Sequence, residues 1–353
     1  MLGIYMLITQ TGCQTTGSHP NAMPLHWTKL PPVPDREGFA GGFAGVSNDA
    51  LIFAGGANIK GDKWGSSFDK VWYDSVFVLE QPDGPWQTGF KLPHPLGYGV
   101  SVTTENGIVC IGGSDANRHY PDVFRLVWHQ GKLECIPMPA LPKPCANFCG
   151  TIIDHTIYVA GGTETPTATE ALKTFWKLDL SAKKPHWEEL EPWPGPARML
   201  AVAGASGGSF YLFSGAHLKA GPTGKPVREY LQDAYRFTPG KGWQRLTDLP
   251  HPVVAAPSPA IGTDHLLVLS GDDGTKVDFQ PLTEHPGFSR EVLAFDIKNG
   301  TWSIPGEVPF SRATAPAVQW RGHIVVLNGE LRPRERTPEV WWTNISRTDK
   351  DVK

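Results

Sequence analysis

IFAGG at residues 52–56 is the first of six copies of one pattern, an apolar run that ends in a glycine pair or a near equivalent. The others are VCIGG at 109–113, YVAGG at 158–162, YLFSG at 211–215, LVLSG at 267–271 and VVLNG at 325–329. Their closing glycines lie 57, 49, 53, 56 and 58 residues apart. Recurrence at that period marks a repeat architecture, in which each unit buries its apolar faces against its neighbours.

Each repeat reads as four strands. A run of small residues comes first, as in GFAGVS from Gly42, YGVSVT from Tyr98, CGTII from Cys149, LAVAGA from Leu200 and APAVQW from Ala315. A polar turn follows, then the glycine-bearing strand, a loop of variable length and a third strand such as VFVL from Val76 or FWKLDL from Phe175. The fourth is short and anchored by Trp86, Trp187, Trp243 or Trp302, with Ile136 taking that place in the third repeat. Four short strands per unit with regularly spaced aromatics predict an all-β, six-bladed β-propeller. The sixth repeat lacks a Trp-bearing last strand, whereas HWTKLPPVP at 26–34 precedes the first repeat as a strand without a blade. Trp27 is therefore expected to complete the last blade, a closure that removes exposed sheet edges. The glycine pairs are read as packing and turn positions, because none opens a helix in the way phosphate-binding loops do.

The repeats assign residues 24–348 to one propeller, leaving 1–23 as a possible export leader or disordered start and 349–353 as a polar tail. A net charge of −3 with 19 % charged residues and no long basic stripe argues against nucleic-acid or anionic-membrane binding. MLGIYMLITQTGC at the start is too short to span a bilayer as a mature helix and loosely echoes a lipoprotein processing site. Export to the periplasm or envelope, with or without a lipid anchor, is the expected address, and a cytoplasmic protein the alternative. Of Cys13, Cys110, Cys135, Cys145 and Cys149, the pair Cys145 and Cys149 has metal-like spacing but no matching pair follows, so all five are read as structural thiols, with a disulfide such as Cys135–Cys145 the alternative. No metal or organic cofactor is expected. A homodimer is one assembly open to such a protein.

Blade topology puts the segment entering the first strand and the loop after the second strand on one face. Arg36, Arg198 and Arg312 stand before inner strands, in equivalent slots expected to line one opening. Guanidinium groups there would suit an anionic substrate, although single arginines at blade junctions also form structural ion pairs. After the glycine strands come Asn58, Asp115 with Arg118 and His119, Glu164, His217, Asp272 with Asp273, and Glu330. Of these, Asn58, Asp115, Arg118 and His217 join the arginines as substrate-binding candidates; the aspartates serve equally well as turn caps. NGELRPRERTPEV at 328–340 is the densest segment, with Glu330 directly after the glycine and Arg336 six residues on. A carboxylate exchanges protons with a sugar hydroxyl or ring oxygen while a guanidinium holds an acid group.

The repeats resemble kelch repeats, and NGELRPRERTPEV is similar to the Asn-Gly-Glu and Arg-Thr segment of sialic acid mutarotases, also called N-acetylneuraminate epimerases. GGANIKGDKWGSSFDKVWYDSVFVL from Gly55 and YGVSVTTENGIVCIGGSDANRHYPDVFRL from Tyr98 resemble the cyclically permuted branch of that family. The resemblance implies interconversion of the α and β anomers of N-acetylneuraminate, with Glu330 matching the family's catalytic glutamate and Arg336 its arginine. Leu331 to Glu335 depart from the family's usual Ala-Lys-Pro-Gly-Leu by adding charge. A noncatalytic kelch module that binds protein or glycan is the main competing reading. A sialidase-like glycoside hydrolase is a weaker one, because no carboxylate pair at retaining distance can be assembled from the sequence.

Overall fold

The computed structural model describes residues 25–344 apart from 66, 222 and 223, so the leader, Cys13 and the tail at 349–353 lie outside the described residues. Six small antiparallel sheets form a six-bladed β-propeller. Blade 1 contains Phe43–Ser47, Ala50–Ala54, Ser75–Leu79 and Gln87–Lys91 in spatial order, and blades 2, 3 and 4 repeat the pattern. Blade 5 has three regular strands, His265–Gly271, Ser289–Asp296 and Thr301–Glu307. Its innermost segment carries Pro257 and Pro259, which have no N–H for a ladder. Within the blade it keeps the Ile261 to Leu267 bridge, while Ala260 and Ser258 bridge Gly204 and Pro316 of the neighbouring blades. In blade 6, Ala317–Trp320, His323–Leu327 and Val340–Asn344 are followed outward by Trp27–Leu30, paired in register from Trp27↔Thr343 to Leu30↔Val340.

The apolar core is divided among the interfaces between blades. Ile52, Val76 and Val78 of blade 1 meet Ile108, Phe124 and Leu126 of blade 2, and five equivalent clusters sit at the other junctions. Alternation along each strand sends its two sets of side chains to two different neighbours. The outer-strand tryptophans tie each blade to the one before it. Indole N–H groups of Trp86, Trp187 and Trp243 donate at 2.8 Å to the carbonyls of Pro31, Pro139 and Glu191, and Trp302 donates at 3.0 Å to Thr247. Ile136 does not take this part in the third repeat: it belongs to Lys132–Pro137, the last strand of blade 2. There Leu133 and Trp128 fill the space against blade 1.

A ring of backbone hydrogen bonds encircles the axis. Tyr98 N–H donates to Gly41 O, Asn147 to Tyr98, Leu200 to Asn147, Ala255 to Leu200, Thr314 to Ala255 and Gly41 back to Thr314, all at 2.7 or 2.8 Å. All six residues have left-handed backbone, with φ between 52° and 65°. Side chains with a Cβ rarely adopt that conformation, and Thr314 is β-branched. The continuous ring holds them in it, so the propeller is pinched at this level and the mouth above has a fixed floor.

Candidate active site

Directly above the ring, the residue after each closing glycine bridges the incoming segment of its own blade. The pairs are Ala40↔Ala57, Gly97↔Ser114, Ala146↔Thr163, Met199↔Ala216, Val254↔Asp272 and Ala313↔Glu330. Four of the six slots hold Ala, Ser or Thr, and the two acids, Asp272 and Glu330, stand in adjacent blades. Asn58, Asp115 and His217 come one residue later, where side-chain direction is reversed relative to that slot. Asn58 donates to Gly38 O at 2.6 Å, and His217 Nδ1 lies 2.8 Å from Ala197 O. Each thus fastens the segment entering its blade.

Asp115 caps its own turn, accepting from the N–H groups of Asn117 and Arg118 at 2.7 and 2.9 Å and from the Tyr120 hydroxyl at 2.5 Å. Arg118 is exposed, its guanidinium 4.5 Å from the Tyr120 ring centre. His119 is buried, with Nδ1 2.8 Å from Thr163 O. Burial holds its imidazole below the ordinary histidine range.

The three arginines do not line a common opening. Arg198 is fully buried and makes a two-pronged ion pair with Asp233 at 2.8 and 2.6 Å, donating also to Ser214 O at 2.8 Å. Its carbonyl accepts from Gly162 of the preceding blade, so the residue pins blade 3 to blade 4. Arg312, equally buried, donates to Glu339 and to Ser311 O, both at 2.9 Å. Arg36 is exposed in the loop before blade 1. The sequence places these arginines correctly at blade entries; burial then commits two of them to carboxylates, since an unpaired buried charge is costly.

Glu330 and Arg336 do come together. The chain doubles back in a small hairpin, Glu330–Arg332 against Glu335–Arg336, that puts Glu330 opposite Arg336. Arg336 Nη2 lies 2.7 Å from Glu330 Oε1, with side-chain exposures of 4 % and 17 %. Burial pushes the Glu330 carboxyl above the usual glutamate range, although the charges of Arg336, Lys70 and Arg228 act the other way. Asp272 adds to the rise. The charged residues between the pair serve the hairpin itself. Arg332 donates to Thr283 O at 2.7 Å and lies over the Trp64 ring, while Arg334 donates to Lys63 O and Gly65 O and lies over Phe68. Arg332 also pairs with Glu335.

Two further hairpins rise at the mouth, Ala57–Gly61 with Phe68–Trp72 from blade 1 and Ala216–Ala220 with Pro226–Tyr230 from blade 4. Lys70, Trp72 and Arg228 on them line a cavity of about 400 Å³, together with Tyr98, Asp115 and His119. That volume falls in the range of small-molecule sites. Lys70 Nζ lies 3.9 Å from the Tyr98 ring centre and 4.8 Å from that of Trp72. Lys70 and Arg228 therefore belong both to the cavity wall and to the field around Glu330. Sequence reasoning missed them because the hairpins sit in the loop of variable length, where no repeat position marks a residue. Among the described residues no group of three histidines, cysteines, aspartates or glutamates is placed to hold a metal ion. Cys110, Cys135, Cys145 and Cys149 are free thiols.

A family model described as N-acetylneuraminate epimerase matches residues 11–135 and 138–279, well over half of the chain. The chain belongs to the N-acetylneuraminate epimerase family. Glu330 and Arg336 lie beyond the matched stretch. N-acetylneuraminate epimerase of Haemophilus influenzae strain PittEE is 29 % identical over 227 residues, 57 % of each chain. The Yersinia enterocolitica protein of the same name is 27 % identical over 229 residues, 58 % of this chain and 56 % of the other. The match thus spans a little over half the length of these curated relatives. A solved structure titled "Structure of YjhT" superposes with a TM-score of 0.63, covering 88 % of this chain and 95 % of that one at 16 % identity. This likeness supports the fold.

Proposed function

We propose that this member of the family is a sialic acid mutarotase, an isomerase that interconverts the α and β anomers of N-acetylneuraminate by opening and reclosing the sugar ring. The observation that carries the reading is the buried Glu330 and Arg336 pair at the mouth of the propeller, beside a 400 Å³ cavity with cationic walls. Mutarotation needs a proton removed from the anomeric hydroxyl and one delivered to the ring oxygen. Glu330 is the group assigned to that exchange. Its raised carboxyl titrates closer to neutrality than an ordinary glutamate, which suits a group that both gives and takes a proton.

The substrate carboxylate goes to Arg336, Lys70 and Arg228. Arg336 has Nε and Nη1 buried with no acceptor, so an incoming carboxylate gains hydrogen bonds at groups already stripped of water. Arg198 and Arg312 keep their structural pairs. The strand Trp27–Leu30 is read as the closing element of a kelch-type last blade, paired with Val340–Asn344, the strand that follows the hairpin carrying Glu330.

An NMR time course started from one pure anomer of N-acetylneuraminate tests the assignment. The protein is expected to bring the mixture to its equilibrium ratio faster than buffer does. Equilibration at the buffer rate at all protein concentrations would refute it and favour a noncatalytic binding module.

A further inference from the structure

Two carboxylates occupy the slot after a closing glycine, and so far only one has a part in the chemistry. Asp272 stands in blade 5 as Glu330 stands in blade 6: each follows a glycine with left-handed φ, 106° and 91°, and each bridges the incoming segment of its blade. Their charges interact. Asp272 is also tied to a phenol from a different blade. Tyr230, at the end of the blade 4 hairpin, donates its hydroxyl proton to Asp272 Oδ2 at 2.7 Å, while Asp272 Oδ1 accepts from Gly274 N–H at 3.0 Å. The Tyr230 ring packs against Gly274, where a Cβ would stand 2.9 Å from the nearest ring atom. Glycine at 274 thus makes room for the phenol, and Asp272 fixes the direction of its O–H.

We propose that Tyr230 and Asp272 form a second acid–base group of this site, a relay in which Tyr230 exchanges a proton with the sugar and Asp272 exchanges one with Tyr230. The relay rests on the functional reading above and divides its chemistry between two groups. With its proton committed to Asp272, the Tyr230 oxygen still has lone pairs with which to accept a hydroxyl proton. Burial and the Asp272 carboxylate keep Tyr230 a phenol, so a proton it receives must be matched by one it passes on.

The anomeric O–H proton moves to Tyr230 Oη as the Tyr230 proton moves to Asp272 Oδ2. The electron pair of the O–H bond becomes the second bond of the carbonyl. The bond from the anomeric carbon to the ring oxygen breaks with its electrons on that oxygen, which takes a proton from neutral Glu330. Rotation about the adjacent carbon–carbon bond presents the other carbonyl face. Attack by the freed hydroxyl returns its proton to Glu330, while the new anomeric oxygen regains one from Tyr230, refilled by Asp272. Both groups end as they began, and no other reactant is consumed.

Anomer exchange in the full chain and in its Tyr230→Phe, Asp272→Asn and double variants tests the relay. Each single change is expected to lower kcat on the order of a hundredfold with KM little altered. The double variant should be no slower than the slower single, because both remove one relay. Asp272→Glu should recover part of the lost rate. A folded Tyr230→Phe protein within about threefold of the parent kcat overturns the relay, as does a rise in KM alone or a double variant whose losses multiply. Should Asp272→Asn not fold, Tyr230→Phe decides the matter, since it removes a single oxygen. No acceleration by the unmutated protein would defeat the functional reading and the relay together. Acceleration lost in Glu330→Gln but kept in Tyr230→Phe would defeat the relay alone.

Discussion

Arg336 holds Glu330 through Nη2 at 2.7 Å while its own Nε and Nη1 are buried without an acceptor. A guanidinium satisfied on one side and bare on the other is poised for a second anion. N-acetylneuraminate should therefore raise the melting temperature of the protein, and Arg336→Met should abolish that rise while leaving a folded chain. A shift of equal size in the variant would place the anion elsewhere.

Lys70 and Arg228 pull the Glu330 carboxyl down against the upward push of burial. Removing either cation lets Glu330 titrate at higher pH. In Lys70→Met and Arg228→Met the limb of kcat/KM that reports Glu330 should move upward in pH, and KM for the anionic sugar should rise on the order of tenfold. Profiles that coincide with the parent would remove both residues from the site.

Arg198 is predicted to matter for folding and not for the sugar. Arg198→Ala leaves Asp233 buried without its partner and should cost about 3–5 kcal/mol in denaturant unfolding. KM of the remaining folded protein should be unchanged. A raised KM at unchanged stability would restore the arginine to the site.

The repeat pattern reveals the blades and the slot over the axis, but not the partners that the side chains find there. The glycine strands and their spacing dictate six blades, and the slot after the glycine leads straight to Glu330, because inter-blade packing leaves that position over the pinched axis. Asn58 and His217 looked equivalent to Glu330, yet they stand one residue farther along, and a strand reverses face at each step. Arg198 and Arg312 show no sign in the sequence of their carboxylates, Asp233 and Glu339, which are brought in by a strand 27 to 35 residues away. Asp272 was visible in the right slot, but its link to Tyr230 crosses from blade 5 to blade 4 through a hairpin that no periodicity announces.

Gly274 has φ 79° and touches the Tyr230 ring. Gly274→Ala should cost about 1 kcal/mol in backbone strain and displace the phenol as well. Activity should fall more than stability does, to a level near that of Tyr230→Phe. A folded Gly274→Ala protein with full activity would show that the ring position is not used.

A carboxyl raised on folding stabilises the protein below the ordinary glutamate pKa, and that contribution is lost as pH rises through the raised value. Glu330 is such a group. Glu330→Gln should therefore gain in melting temperature relative to the parent as pH goes from about 4 toward neutrality. A difference that shrinks over the same interval would contradict the raised carboxyl.

Exchange NMR at anomeric equilibrium, run on the parent protein and on Glu330→Gln at matched concentration, bears on the catalytic assignment most directly. The parent should carry magnetisation between the α and β signals of N-acetylneuraminate well above the buffer rate, and Glu330→Gln should lower that excess on the order of 10²–10⁴-fold while staying folded. An excess rate in Glu330→Gln equal to that of the parent would contradict the account.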